Sequence, residues 1–517
     1  MIEVDATPNV DLGKTSLKES LMKPPRPEIL PPTKPVPKQR QRGGSIFVIA
    51  LCCVIGLVLA WFERDRLFKA SAPPAAQFKT YYLSPAGSDS NSGQSSSLPW
   101  LSPNHHLNCG DVIVAAASTG YSAANFYTGK WGTVTCAAEN NVAWLQCATF
   151  DGCKIQATTT PGMWVDKSYW GVQGWEITTS ASDTYGSCFI AQPNYDFPAE
   201  IHHIIFANDI ANGCAQGGFT VVNHGSVGVD YLAIIGSIAY NAAQGSTSCA
   251  SGISIYQPVQ SDALPGTHIY VAGDFSYSNL EPSVCNGGPP TDGGGIIFDS
   301  FDGSQGNISP YWSQAVAYNN LLVNNGAKGL EVNNNAAGSY HSAIWFSQNT
   351  SWGNLTDPNQ TWLGCAEVSV YKATNTHIYG NLISTKSATG CSGHPIYALA
   401  VSAGDGTDSV VNNLAYGYNG NNTFLYDSGS FAWGSGNQFG ISPSFTNPVA
   451  PGPPSCGGTT NVPNCMSSVI ANFVPRTASA VALGYHKPSS TPDHDALFPQ
   501  WLCTANLPSG LITMGCD

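Results

Sequence analysis

The chain has 517 residues, of which only 10% are charged, and its net charge is −13. So few charged side chains exclude helical bundles, whose wet faces need Lys, Glu and Arg; 54 glycines with abundant Asn, Ser and Thr suit an all-β protein rich in turns. Beyond position 72 only nine basic residues stand against 26 acidic ones, which argues against nucleic acid as a partner.

In chain order, residues 1–44 are polar and Pro-rich ("PPRPEILPPTKPVPK") and read as a solvated cytoplasmic tail. "SIFVIALCCVIGLVLAWF" (45–62) is 18 residues without a charge, enough for a transmembrane helix. Lys34, Lys38, Arg40 and Arg42 precede it, while "ERDRLFK" after it mixes signs. This asymmetry favours a cytoplasmic N-terminus and an exported main domain. A cleaved signal peptide is the alternative, but the polar stretch ahead is too long for a usual n-region. Residues 63–78 form a spacer, and 79–517 form one exported domain with no internal linker. Fourteen cysteines, from Cys109 to Cys516, are irregularly spaced without a CxxC pair. Disulfides in an oxidising compartment are therefore expected, in a pairing left open, rather than a zinc site.

Within the domain a pattern recurs: a short alternating apolar run, a polar residue, an apolar pair, a Gly/Asn turn and a second alternating run. The polar mark falls at Asp209, Ser237, Asp274, Asn320, Asn349, Asn381 and Asn413, on average about 34 residues apart. Short strands at a loose period predict stacked coils, in which a parallel neighbour buries the apolar column that no coil buries alone. A β-sandwich, the alternative, predicts hairpin turns and no stacking of like residues.

"YYLSPAGSDSNSGQSSSLPW", followed by "CGDVIVAAASTGYSAANF", resembles the opening of exported proteins of the pectate-lyase-like superfamily, over most of residues 80–450. "ISPSFTNP" and "NFVPRTASAVALGY" are similar to the segment that closes such folds. The resemblance implies a right-handed parallel β-helix. It also implies a polysaccharide as substrate or partner, handled by a lyase, a hydrolase, an epimerase or a non-catalytic binding protein.

The acidic stretch "TDGGGIIFDSFDG" (291–303) is the candidate site. With Gly218, Gly252, Gly295, Gly329 and Glu367 aligned, Phe219, Ile253, Ile296, Leu330 and Val368 point inward. Thr220, Ser254, Ile297, Glu331 and Ser369 form one outward column, and Val222, Tyr256, Asp299, Asn333 and Tyr371 a second. Asp299 and Glu331 then lie diagonally on adjacent coils, with Lys328 and Lys372 at the flanking turns. Oxygen ligands from Asp292, Asp299 and Asp302 would suit Ca²⁺, which would also relieve the repulsion of an acidic glycan. Calcium-assisted elimination, with Lys328 or Lys372 as base, is the leading expectation; hydrolysis by Asp299 and Glu331 is the alternative. Tyr256, Asn333 and Tyr371 are expected to contact the glycan. Asp292 and Asp302 also suit plain Asx-turns, and Lys328 a solvated turn. Calcium-dependent lyases that this chain resembles carry an "Asp-Gly-Phe-Asp"-like strand and a strand lysine one coil later; here Ile297 and Glu331 occupy those places, which favours the carboxylate pair. The pairs His105–His106 and His202–His203 lack a third ligand and read as packing histidines. Sequons begin at Asn307, Asn349, Asn354, Asn359 and Asn421.

Overall fold

The computed structural model describes residues 78–478 and 497–507, less 137–140, 181–185, 246–248, 282–289, 306–307, 335–341, 361–364, 388, 403–404, 421–422, 428–429 and 506. The apolar segment 45–62, the tail before it and most of the spacer lie outside the described residues. Residues 77–517 form one compact unit.

Among the described residues, three parallel sheets of 12, 11 and 9 strands carry the unit. One coil shows how the pattern folds. Ile201–Ala207 belongs to the first sheet, Ile210–Asn212 to the second and Phe219–Val222 to the third. Each pairs in parallel with the matching strand one coil on: Val229–Ile235, Ile238–Tyr240 and Ile253–Tyr256. Parallel pairing throughout these three sheets excludes the sandwich. Stacked parallel coils fit a right-handed β-helix, the hand that twisted strands impose on parallel crossovers.

The polar marks lie at the corner between the first and second sheets, where the residue before each is left-handed. Examples are Asn208 (φ 51°), Asn319 (52°) and Asn412 (55°), a conformation asparagine tolerates. Each mark donates its backbone N–H to the side chain of the next: Asp209 to Ser237, Ser237 to Asp274, Asp274 to Asn320, and on through Asn349, Asn381 and Asn413. A second ladder runs from Ala242 through Asn279, Asn325 and Asn354 to Glu367 at the next corner. Asn349 and Asn354, two of the sequon asparagines, are buried rungs of these ladders.

The inward column forms the core, with Phe219, Ile253, Ile296, Leu330 and Val368 all buried. At Gly218 a Cβ would approach the Gly252 carbonyl oxygen to 2.6 Å, and at Gly295 that of Gly329 to 2.5 Å. Those glycines are therefore required by close approach of the backbone. Five disulfides pair Cys109–Cys136, Cys147–Cys153, Cys188–Cys214, Cys365–Cys391 and Cys456–Cys465. Cys249 and Cys503 are disulfide-bonded as well.

The C-terminal segments lie along the coils. The helical turns Val462–Cys465 and Ser467–Asn472 set Val462, Met466 and Phe473 on the outer side of the second sheet, against Ile210, Ile238 and Phe275. The turn Gln500–Thr504 sets Trp501 and Leu502 on the outer side of the first sheet, where Trp501 donates to the Thr267 carbonyl (3.2 Å) and Trp144 to that of Ala505 (3.1 Å). Two of the three outer faces are thus packed with apolar side chains. The third carries the acidic stretch.

Candidate functional site

On the third sheet, strands Phe219–Val222, Ile253–Tyr256, Ile296–Asp299, Leu330–Asn333 and Ala366–Tyr371 stack in the register expected from the glycines. Thr220, Ser254, Ile297, Glu331 and Ser369 are successive partners, as are Val222, Tyr256, Asp299, Asn333 and Tyr371. The first column also extends two coils upstream, through Ile190 to Trp164.

Loops rise on both sides of these columns and make a groove rather than an exposed face. A cavity of about 350 Å³ is lined by Tyr256, Asp292, Ile297, Asp299, Gln305 and Asn333 among others. It continues into one of about 140 Å³ that adds Lys328, Glu331, Ser369 and Tyr371. Asp292, Lys328 and Glu331 are nearly buried.

Asp299 ends its strand in the cavity floor. Its Oδ1 accepts from Ser300 Oγ (2.8 Å) and from Asn333 Nδ2 (3.1 Å) on the adjacent coil. Burial, and next the charge of Asp292, push its carboxyl up to about 7 despite these donors. Glu331 lies two residues before Asn333. Strand spacing and rise per residue put the α-carbons of Asp299 and Glu331 roughly 8 Å apart. Lys328 Nζ lies 3.1 Å from Glu331 Oε1 and 3.4 Å from the Thr291 carbonyl. Burial raises the Glu331 carboxyl, and Lys328 opposes that rise.

Asp292 is held from three sides. Thr291 Oγ1 and Ser251 Oγ donate to its carboxylate at 3.0 and 3.4 Å, and Gln360 Nε2 donates to its carbonyl at 2.7 Å. Its N–H, with that of Thr291, donates to Glu281 Oε2 at 3.1 and 3.3 Å. Glu281 is fully buried, and burial with the Asp292 charge raises it to about 8.

The three aspartates expected to hold Ca²⁺ are not all brought together: Asp292 and Asp299 line one cavity without Asp302, and among the described residues no group of three His, Cys, Asp or Glu side chains is placed to hold a metal ion. Asp302 instead accepts from the backbone N–H and hydroxyl of Ser304, at 3.3 and 2.7 Å, as an Asx-turn. Lys328 is no solvated turn lysine, because the Glu331 pair occupies it. Lys372 follows its strand with φ 50°, its Nζ 5.0 Å from the Tyr371 ring centroid. Tyr256, Asn333 and Tyr371 do line the groove, and the Tyr256 hydroxyl donates to Gln305 (2.9 Å). The histidine pairs pack on aromatic rings: His105 on Trp100, His203 on Tyr169 and Tyr231.

Sequence reasoning missed Glu281, Gln360, Gln305 and the aromatic residues upstream. The first three sit in loops without periodicity and leave no mark. Trp164 was within reach, since the outward column runs on to it.

No family model matches the chain, and no curated protein does. Among solved structures it is similar to pectate lyase Pel9A, at 15% identity over 80% of this chain and 90% of that one, with a TM-score of 0.34. The A-module of Azotobacter vinelandii mannuronan C-5 epimerase AlgE6 matches at 12% over 63% and 90%, with a TM-score of 0.30. The GH136 lacto-N-biosidase of Eubacterium ramulus matches at 11% over 70% and 67%, with a TM-score of 0.33. The strand register, rather than these distant likenesses, establishes the β-helix.

Proposed function

We propose that this chain is an exported, membrane-anchored β-helix protein that hydrolyses glycosidic bonds in the groove of its third sheet. Asp299 is the general acid, and Glu331 is the base that activates water or the nucleophile. The observation that carries this reading is the pair of carboxyls on adjacent coils of one groove. Burial beside Asp292 pushes Asp299 up to about 7, so that it can hold a proton near neutral pH; burial also raises Glu331, and the Lys328 cation at 3.1 Å opposes that rise. An acid and a base across one groove are what glycoside hydrolysis requires. Asn333 and Ser300 orient Asp299, and Tyr256 and Tyr371 flank the groove as sugar contacts.

Calcium-assisted elimination, the expectation from sequence, is less well supported. Asp302 lies apart from the cavity that Asp292 and Asp299 line, and Lys328, one of the two candidate bases, is engaged by Glu331. Release of reducing ends from a glycan tests the reading: Asp299→Asn and Glu331→Gln should each lower it by roughly 10²–10⁴. Undiminished release by Asp299→Asn would reject the assignment.

The anchor reading rests on segment 45–62 and the basic residues before it, and the disulfides support an oxidising compartment. Protease should then degrade the domain in right-side-out membrane vesicles and spare it in inverted ones. The reverse pattern would overturn the topology.

A further inference from the structure

A third cavity, of about 510 Å³, lies on the same sheet upstream of the carboxylates and shares Gln216, Thr220 and Val222 with the first. Tyr127, Trp164 and Tyr195 line it, with Ile190, Val222 and Gln192, and no charged side chain faces it. Trp164 stands edge-on between the two tyrosines, with ring centroids 5.2 Å from Tyr127 and 5.4 Å from Tyr195. The platform is braced from behind. Buried Asp166 accepts from Thr128 Oγ1 (2.9 Å), Gly129 N–H (2.6 Å) and Asn194 Nδ2 (2.9 Å), which ties together the two loops that carry the tyrosines. Gln192 Nε2 donates to the Tyr195 hydroxyl at 3.1 Å, and 53% of Tyr195 remains exposed.

We propose that this pocket is a distal glycan subsite that stacks the apolar face of an uncharged sugar ring, and that the substrate of the groove is a neutral glycan. Aromatic faces with a few polar groups at the rim suit a pyranose, which is apolar above and below its ring and carries hydroxyls around it. Charge points the same way. The connected cavities bring three carboxyls, Asp292, Asp299 and Glu331, to the groove, and Lys328, the cation that lines them, is already paired with Glu331, so among the described residues no lining lysine or arginine is left to meet a uronate. A polyuronate would add a carboxylate at every ring to that surface. From Trp164 to Glu331 the column crosses five strand spacings, about 24 Å, which gives the groove room for several rings.

This inference rests on the glycan-active reading above, and its test separates the two. Full-length chain in a non-glycosidic detergent would be applied to immobilised neutral polymers (a β-glucan, a xylan, a mannan and a galactan) and to polygalacturonate and alginate. Retention on at least one neutral polymer is expected. Tyr195→Ala should weaken it roughly tenfold, as for loss of one stacking contact, while Tyr195→Phe retains it. Both variants should melt with the wild type, because Tyr195 is largely exposed. Retention on acidic polymers only, on none, or undiminished in Tyr195→Ala would overturn the subsite. A neutral glycan held through Tyr195 yet left uncleaved would sustain the subsite and reject hydrolysis. Cleavage with an unaltered KM in Tyr195→Ala would do the reverse.

Discussion

At the scale of single residues, the third sheet gives a diagonal pair of carboxyls different partners. Asp299 accepts two hydrogen bonds, yet burial and Asp292 keep its carboxyl near 7. Activity should therefore fall as pH rises through about 7, where Asp299 loses the proton it must donate. A kcat/KM profile flat from pH 6 to 9 would contradict that role. Lys328 sets the other limb. Lys328→Met removes the charge that opposes the rise of Glu331, so the acidic limb of the profile should move to higher pH. An unmoved limb would show that Glu331 does not govern it. The carboxyl pair was an alternative in the residue pattern, but the part of Lys328 was not visible there, where it looked like a proton-abstracting base or a solvated turn lysine. The ion pair joins residue 328, ahead of the strand, to residue 331 within it, and alternation within a strand says nothing about the residues ahead of it.

At the scale of elements, the corner ladders explain why a polar residue recurs in an apolar chain. Each rung satisfies a backbone N–H in a tight turn that no strand partner reaches. Asn349 is representative: it donates to the Ala317 carbonyl and to Asn381, and its side-chain oxygen accepts from the Asn320 backbone and side chain. Asn349→Ala strands buried partners above and below, and should lower unfolding stability by about 1–3 kcal/mol; a change below a few tenths by denaturant melt would mean the ladder is dispensable. These marks and the glycine-aligned columns were legible in the sequence because they repeat with the coil, and the register of Phe219, Ile253, Ile296, Leu330 and Val368 follows from them. The walls of the groove were not legible. Glu281 and Gln360, which grip Asp292, come from loops of irregular length, and a strand pattern cannot tell that Asp302 lies apart from the cavity of Asp292 and Asp299.

At the scale of the whole molecule, the three outer faces have different fates. C-terminal segments pack Trp501 and Leu502 on the first sheet and Val462, Met466 and Phe473 on the second, and the third retains a groove with carboxylates at one end and aromatic rings at the other. Burying acids in this fold has a cost that depends on pH. Glu281 is raised to about 8, and Asp299 and Glu367 to about 7. Raised carboxyls stabilise the fold fully below their unfolded values, near 3.9 for Asp and 4.3 for Glu, and that stabilisation is lost as pH climbs through about 7 and then 8. Buried His203, lowered to about 3, acts in the opposite sense, but only below its unfolded value near 6.5. Between pH 6.5 and 9 the melting temperature should therefore fall, and Glu281→Gln should lessen the fall. A melting temperature that rises over that range would contradict the account.

The central claim is hydrolysis by the carboxyl pair Asp299 and Glu331. The most direct measurement is product analysis after incubating the full-length chain with neutral and acidic glycans, with and without a calcium chelator. The account predicts shortened neutral chains with saturated ends, formed equally in the presence of chelator and absent with Asp299→Asn. Unsaturated sugar ends that disappear on chelation would contradict it, and would return the groove to calcium-assisted elimination.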